Sequence, residues 1–169
     1  MAEKASKVPR KAKNMMYMQD IDHAPFKDTD ELEKRVASLT PPPKKWALIC
    51  HDKDVDDAGQ EKRKHWHVMM CFENARSLGS VARELGEPGA QFIKAWEGDS
   101  RNGFAYLVHR TSAARHKFQY DPNEVLASFD YVLELQNMEA GAASGRTTAT
   151  TDVLLDMLYD GHLTPDDVR

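Results

Sequence analysis

The 169-residue sequence lacks any apolar run close to the roughly 20 residues that a membrane-spanning helix needs. It shows no secretory signal at its start and no phosphate-binding loop of the G-x-x-x-x-G-K-[ST] pattern. Membrane proteins and P-loop helicases are therefore not expected. There are only two cysteines, Cys50 and Cys71, and they fit no metal-ligand spacing. They indicate buried, reduced thiols in a cytoplasmic protein.

The chain lacks an overall excess of positive charge, since 23 basic residues stand against 27 acidic ones and the formal net charge is -4 at pH 7. The distribution matters more than the total. Residues 120–169 hold ten acidic and two basic residues, whereas residues 1–119 hold 21 basic and 17 acidic ones. The larger part of the chain is mildly basic, which permits a DNA or RNA partner without being diagnostic of one.

Composition divides the chain into four segments. Residues 1–14 carry five basic side chains and one acid without apolar periodicity, which predicts a disordered basic arm. Residues 15–138 are expected to fold as one domain. Residues 139–151 are rich in Gly, Ala, Ser and Thr and are interpreted as a linker. Residues 152–169 predict a short helical element, too small for a core of its own, that begins another domain or packs on a partner.

Within residues 15–138, strand and helix patterns alternate, and one antiparallel hairpin lies in the middle. This order predicts an α+β fold of the split βαβ kind, with helices on one side of an antiparallel sheet. The predicted strands cover residues 15–20, 46–51, 65–71 and 91–97. The predicted helices cover residues 31–39, 77–85, about 99–111 and about 123–138.

The segment His65-Trp66-His67 begins the third predicted strand. Because side chains alternate along a strand, His65 and His67 are expected to share one face. His51 ends the preceding strand, so pairing of the two strands would bring three imidazoles together, and Asp54 could add an oxygen ligand. A lone His-x-His pair is often only an exposed polar pair. The four residues together favour a site for Mn²⁺ or Mg²⁺, and zinc is not excluded by ligand type.

Tyr106 is predicted to lie on the last helix that precedes residue 111. Helical geometry places it about 200° from Phe104, away from the apolar stripe and on the same side as Arg110. A surface tyrosine would satisfy this pattern. A nucleophile would also satisfy it, because a phenolate can attack phosphorus if a base or a cation assists it. A metal that polarises a phosphate, together with such a tyrosine, would cleave a strand through a covalent phosphotyrosine.

Three segments together, 51–54, 64–68 and 105–109, resemble the motifs of the HUH endonucleases. More specifically, they resemble the rolling-circle replication initiators of small bacterial plasmids, over roughly residues 12–135. The resemblance implies a ferredoxin-like five-stranded antiparallel sheet with helices, followed by a short helical C-terminal element. It also implies a cytoplasmic bacterial protein without a membrane partner.

The resemblance further implies a role for each matching residue. His51, Asp54, His65 and His67 would bind a divalent metal, Mn²⁺ or Mg²⁺. Tyr106, as the single catalytic tyrosine, would nick the double-strand origin, become linked to the 5′ phosphate and leave a 3′ hydroxyl primer. It would also religate strands at termination.

The resemblance also implies partners. They are plasmid origin DNA, both as duplex and as a single-stranded hairpin, and the host replication machinery. Residues 152–169 would contribute to a homo-oligomer. Six basic residues near the motifs are candidates for DNA-phosphate contacts: Lys53, Arg63, Lys64, Arg110, Arg115 and Lys117.

Alternative functions remain open at this point. The chain could be a mobilisation relaxase or a transposase of the same superfamily. It could instead be a non-catalytic repressor or origin-recognition module. A zinc hydrolase that uses His51, His65 and His67 would be indifferent to Tyr106.

Overall fold

A computed structural model of the protein describes residues 10–144. The strands are β1 (Lys11–Asp20), β2 (Lys45–His51), β3 (His65–Ser77), β4 (Ile93–Ala95) and β5 (Leu126–Ala127). The helices are α1 (Thr29–Ala37), α2 (Leu78–Leu85), α3 (Ser100–Tyr106) and α4 (Tyr131–Ser144). Three predicted segments lie wholly or partly outside the described residues: the helical element at 152–169, residues 145–151 of the linker, and residues 1–9 of the basic arm.

The five strands form one sheet in the order β4-β1-β3-β2-β5, and every neighbouring pair is antiparallel. The first four strands and the two helices between them follow the βαββαβ sequence of a ferredoxin-like fold. β5 adds a strand at the free edge of β2. The predicted α+β class and five-stranded antiparallel sheet are confirmed.

Both faces of the sheet are covered by helices, so the prediction of helices on one side only is wrong. Trp66 and Val68 of β3 pack with α1 and α2 on one face. Met69 of β3 packs with α3 and α4 on the other face. A largely buried central strand gives no alternation between apolar and polar residues, and its sequence therefore does not reveal a second helical layer. His65 and His67 share the face of Met69, as strand alternation predicts.

Two elements extend into segments that were predicted to lie outside the domain. β1 begins at Lys11, inside the segment predicted to be a disordered arm, because its polar residues pair with the far end of β3. α4 continues to Ser144, inside the predicted linker. Alanine-rich sequence is compatible with a helix as well as with a linker.

The predicted helix over residues 123–138 is wrong in its first half. Residues 122–124 form a 3₁₀ turn and β5 follows, paired with Ala47 and Leu48. α4 begins only after Asp130, whose carboxylate accepts a hydrogen bond from the backbone N–H of Leu133 at 3.1 Å. β5 has only two residues, which are too few to show the alternation of side chains that is typical of a strand. Asp130 is of a residue type that often begins a helix, and it marks the start of α4 in the sequence.

α3 is also shorter than predicted. His109 adopts φ of +63°, and the N–H of Arg110 donates to the carbonyl of Ala105 at 3.0 Å. This left-handed residue with a six-to-one hydrogen bond terminates the helix in the manner of a Schellman motif. The left-handed residue that ends a helix is usually glycine, so His109 did not indicate from the sequence that α3 ends there. Histidine at positive φ is uncommon and such strain tends to occur at functional sites.

Candidate active site

The pairing of β2 with β3 brings the predicted histidines together. His51 lies opposite His65 in the register of the two strands. The imidazole centroid of His51 lies 5.4 Å from that of His65 and 4.2 Å from that of His67. One nitrogen from each of the three rings lies within 4.8 Å of the others, and all three residues are buried. This spacing suits three ligands around one cation.

Asp54 returns from the loop after β2 and joins the three histidines. Its Oδ2 lies 3.3 Å from Nδ1 of His51 and 3.3 Å from Nε2 of His65, and the residue is 5% exposed. Burial raises the pKa of the Asp54 carboxyl, but the contacts with His51, His65 and Tyr120 outweigh burial and hold the pKa well below its usual range. Asp54 is therefore a carboxylate at any physiological pH.

Backbone carbonyls orient two of the imidazoles. Nε2 of His51 donates to the carbonyl of Leu107 at 2.7 Å, and Nδ1 of His65 donates to the carbonyl of Arg63 at 2.7 Å. In each ring the other nitrogen faces Asp54. When a carbonyl accepts the proton of one ring nitrogen, the other nitrogen can offer its lone pair to a metal, and metal-binding histidines are usually held in this way.

His67 gives a further test of whether a cation fits. Its Nδ1 is buried and has no hydrogen-bond partner. Burial and the charges of His51 and His65 hold the pKa of His67 well below its usual value, so its ring is neutral. A neutral, buried imidazole without a partner is costly unless something binds it. Asp54 thus supplies a carboxylate and His67 a neutral imidazole, and divalent ions bind both types of ligand. Burial lowers the pKa of His65, but its contact with Asp54 outweighs burial and raises that pKa, so a metal would compete with a proton for this ring.

The structure adds two residues to this cluster that the sequence did not indicate. His109 forms a second group of potential ligands with His51 and Asp54. Burial lowers the pKa of His109 to about 4. Tyr120 stacks on His51 at 4.4 Å between centroids and donates a hydrogen bond to Oδ1 of Asp54 at 2.7 Å. The sequence shows His109 three residues after Tyr106, but its approach to the cluster depends on its own left-handed backbone conformation. Tyr120 belongs to no motif that the sequence analysis could recognise.

Tyr106 is the last residue of α3 and lies beside the cluster. Its ring centroid is 5.7 Å from that of His67, and the phenol is half-buried. The apolar stripe predicted for this helix is confirmed, because Phe104, Leu107 and Val108 are buried.

Lys117 supplies the positive charge next to Tyr106. Its Nζ donates to the Tyr106 hydroxyl at 3.2 Å. Arg110, which helical geometry placed on the same side as Tyr106, instead pairs with Glu139 at 2.7 Å. Because α3 ends at Tyr106, helical geometry does not determine where the side chain of Arg110 points.

The other basic candidates are all exposed: Lys53, Arg63, Lys64 and Arg115. Lys53 pairs with Asp52 at 3.2 Å, and Arg63 contacts Nε2 of His23 at 2.9 Å. Lys53, Arg63 and Lys64 lie at the two ends of the loop that joins β2 to β3, whereas Arg110 faces α4.

Two further predictions can be compared with the structure. Cys50 and Cys71 are both free, as expected, but only Cys71 is buried and Cys50 is partly exposed. Within residues 10–144, no helix has the length and apolar character needed to cross a membrane.

Comparison with known proteins identifies relatives that share this domain. Residues 7–134 match the family described as plasmid replication protein, origin binding domain. The chain is 27% identical over 107 residues to replication protein RepB of Lactiplantibacillus plantarum, covering 62% of this chain and 45% of RepB. It is 26% identical over 102 residues to a replication protein of Onion yellows phytoplasma (strain OY-M), covering 54% of this chain and 26% of that protein.

The chain thus spans less than half the length of these two curated relatives. The match to the family nevertheless includes every strand of the sheet and all the residues of the site described above. The chain belongs to the plasmid replication proteins and contains their origin-binding domain.

Proposed function

We propose that this protein initiates plasmid replication by nicking origin DNA, with Tyr106 as the nucleophile and a divalent metal as cofactor. The observation that carries the proposal is the placement of the Tyr106 ring 5.7 Å from His67, at the edge of a buried cluster of imidazoles and a carboxylate. A module that only bound DNA would have no need of a phenol beside such a cluster. This arrangement is the one expected of an HUH-type enzyme.

The proposed metal ligands are His51, Asp54, His65 and His67. The Asp54 carboxylate favours Mn²⁺ or Mg²⁺, since hard oxygen ligands suit these ions. When bound, the ion would withdraw charge from a phosphate oxygen and make the phosphorus more susceptible to attack. Hydrogen bonds that His51 and His65 donate to the carbonyls of Leu107 and Arg63, and one that Asp54 accepts from Tyr120, hold the ligands in place before any ion arrives.

The proposed reaction is a transfer of a phosphodiester from one oxygen to another. The oxygen of Tyr106 attacks the phosphorus, and the bond from phosphorus to the 3′ oxygen breaks. The phenol loses its proton, and the departing 3′ oxygen takes one up to become a hydroxyl. The 5′ phosphate stays on Tyr106 as an ester, so attack by a 3′ hydroxyl can reverse the reaction and reseal a strand.

Lys117 is proposed to assist this exchange. Its ammonium group already donates to the Tyr106 oxygen, so it favours negative charge on that oxygen during attack and again during resealing. It would also offset the charge of the phosphate that approaches. Three basic residues at the two ends of the loop between β2 and β3 are proposed to bind flanking phosphates: Lys53, Arg63 and Lys64.

The proposal is tested with labelled single-stranded oligonucleotides that tile the replicon encoding the chain, incubated with Mn²⁺ and analysed on a denaturing gel. The expected result is a shifted, protease-sensitive band that EDTA and Tyr106→Phe both abolish. Tyr17→Phe is the matched control, because this buried phenol lies on the other face of the sheet.

Each remaining outcome points elsewhere. A band that persists in Tyr106→Phe would exclude Tyr106 as the nucleophile. Cleavage without a covalent adduct would indicate attack by water. Origin binding with no cleavage under any divalent ion would favour a non-catalytic origin-recognition module.

A further inference from the structure

A groove opens directly beside the proposed nucleophile, between the edge strand β4 and α3. It has a volume of about 360 Å³. Its walls include His67 and Tyr106 of the site, and apolar side chains from β1 and from the β4 region: Met18, Phe92 and Trp96. None of the proposed reaction steps uses this groove.

The apolar walls are unusually open to solvent. Met18 is 45% exposed although it lies on β1, an inner strand of the sheet, directly opposite His67 of β3. Phe92 and Trp96 are each only partly buried. The indole N–H of Trp96 donates to the backbone carbonyl of Asp99 at 3.2 Å, so the ring is fixed and its polar atom is already satisfied. The groove therefore presents flat apolar surface for a ligand to contact.

Positive charge accompanies this surface. The exposed side chain of Lys94 lines the same groove. On the other side of Met18 and Phe92 lies a second groove of about 370 Å³, lined by Lys62, Arg63 and His65, with Asp20 as its acidic member. Met18 and Phe92 form the wall between the two grooves, and both grooves reach the proposed metal ligands.

A single DNA strand combines the two properties that this surface matches, because it carries flat apolar bases on a chain of phosphates. Aromatic side chains that stack on bases, next to cations that contact the backbone, are the usual means of binding unpaired nucleic acid. We propose that the groove between β4 and α3 holds an unpaired base next to the phosphate that Tyr106 attacks, and that Met18 and Phe92 separate it from the next base. This inference rests on the proposed function.

The test measures binding rather than cleavage, so that it does not depend on the nicking reaction. The full chain is titrated in EDTA with a fluorescein-labelled oligothymidine of about twelve nucleotides, and separately with an abasic strand of the same length and charge. Met18→Ala is compared with Leu133→Ala, which truncates a similarly exposed apolar side chain on α4, at 50% exposure.

Met18→Ala is expected to weaken binding of the oligothymidine by about fivefold, which is the lower end of the range for an aromatic side chain that stacks on a base. It should leave binding of the abasic strand unchanged, and Leu133→Ala should change neither. Equal weakening for both strands would show that Met18 acts on the backbone or on the fold. No weakening for either strand would show that the base does not lie against Met18. Both results would overturn the inference.

Fluorescence provides a second, independent measurement. Trp46 and Trp66 are buried, at 7% and 1% exposure, so Trp96 is the tryptophan available for stacking. The oligothymidine should quench tryptophan emission in the unmodified chain, and Trp96→Phe should remove most of that quenching while the abasic strand quenches neither. Quenching that survives Trp96→Phe would contradict the inference. A protein that passes both tests and forms no Tyr106 adduct would refute the proposed nicking function and leave base binding in place.

Discussion

Gly103 of α3 lies directly against Met69 of β3. A Cβ added at Gly103 would be 2.5 Å from the sulfur of Met69 and 3.2 Å from Cε2 of Trp96. The absence of a side chain thus allows α3 to lie close to the sheet, which places Tyr106 at the end of the helix next to His67.

Gly103→Ala is expected to disturb the packing of α3 on the sheet, because the fully buried side chain of Met69 must move to make room for the added Cβ. The free energy of unfolding should fall by about 1–3 kcal/mol, as for other overpacked cores. Nicking should fall further than this loss of stability explains, because Tyr106 moves. Gly79→Ala in α2 is the control, since its added Cβ meets only ordinary contacts and alanine favours a helix. Thermal unfolding and the nicking assay check both variants, and full nicking by folded Gly103→Ala would contradict the expectation.

Tyr120→Phe is expected to weaken metal binding. The change removes the hydrogen bond from the phenol to Oδ1 of Asp54, which leaves the carboxylate less firmly oriented. Loss of such an outer contact typically costs about 10- to 100-fold in metal affinity. Isothermal titration with Mn²⁺ measures the change, and Tyr17→Phe on the opposite face should keep the original affinity. Equal affinities for the unmodified chain and Tyr120→Phe would show that Tyr120 does not support the ligand.

Lys117→Met is expected to slow nicking by roughly 10- to 100-fold, the range for loss of a hydrogen bond to a charged group. Lys117→Arg should restore part of the rate, because it keeps the charge near the Tyr106 oxygen. Lys34→Met, which removes an exposed cation from α1, is the matched control. Single-turnover rates at saturating DNA separate this effect from weaker binding. A change in affinity alone would assign Lys117 to phosphate binding.

Stability is expected to decline at alkaline pH, in part through Tyr17. Burial and the hydrogen bond to Glu87 at 2.5 Å raise the pKa of Tyr17 above its ordinary value of 10. The unfolded chain therefore loses this proton before the folded chain does, and stability that is present below pH 10 is lost as pH rises further. Tyr17→Phe should lower stability at neutral pH and make the alkaline decline shallower. Urea unfolding from pH 7 to above 10 checks the slopes, and an unchanged slope would contradict the assignment.

Sequence alone located the histidine cluster because strand alternation is strictly periodic. If β2 and β3 pair as a hairpin, strand alternation determines which face of the sheet His51, His65 and His67 share, and the pairing determines that they lie at the same level along the two strands. Lys117 and Tyr120 could not be located in the same way. They follow an irregular segment that begins with the left-handed His109, and no period connects that segment to the sheet.

Arg110 shows that a periodic pattern gives a wrong position when it is applied beyond the end of a helix. Helical spacing placed it beside Tyr106, but the helix ends at Tyr106 and Arg110 pairs with Glu139 of α4. The second helical layer was missed for a related reason, since a strand that is buried on both faces shows no polar side.

The proposed function depends on covalent attachment of Tyr106 to DNA. Peptide mass spectrometry detects it in the unmodified chain after reaction with Mn²⁺ and a cleaved origin oligonucleotide, followed by nuclease and protease digestion. We expect a nucleotide phosphate on Tyr106 and on no other residue. A nucleotide on Tyr120 or another side chain, or cleaved DNA with no modified peptide, would contradict it.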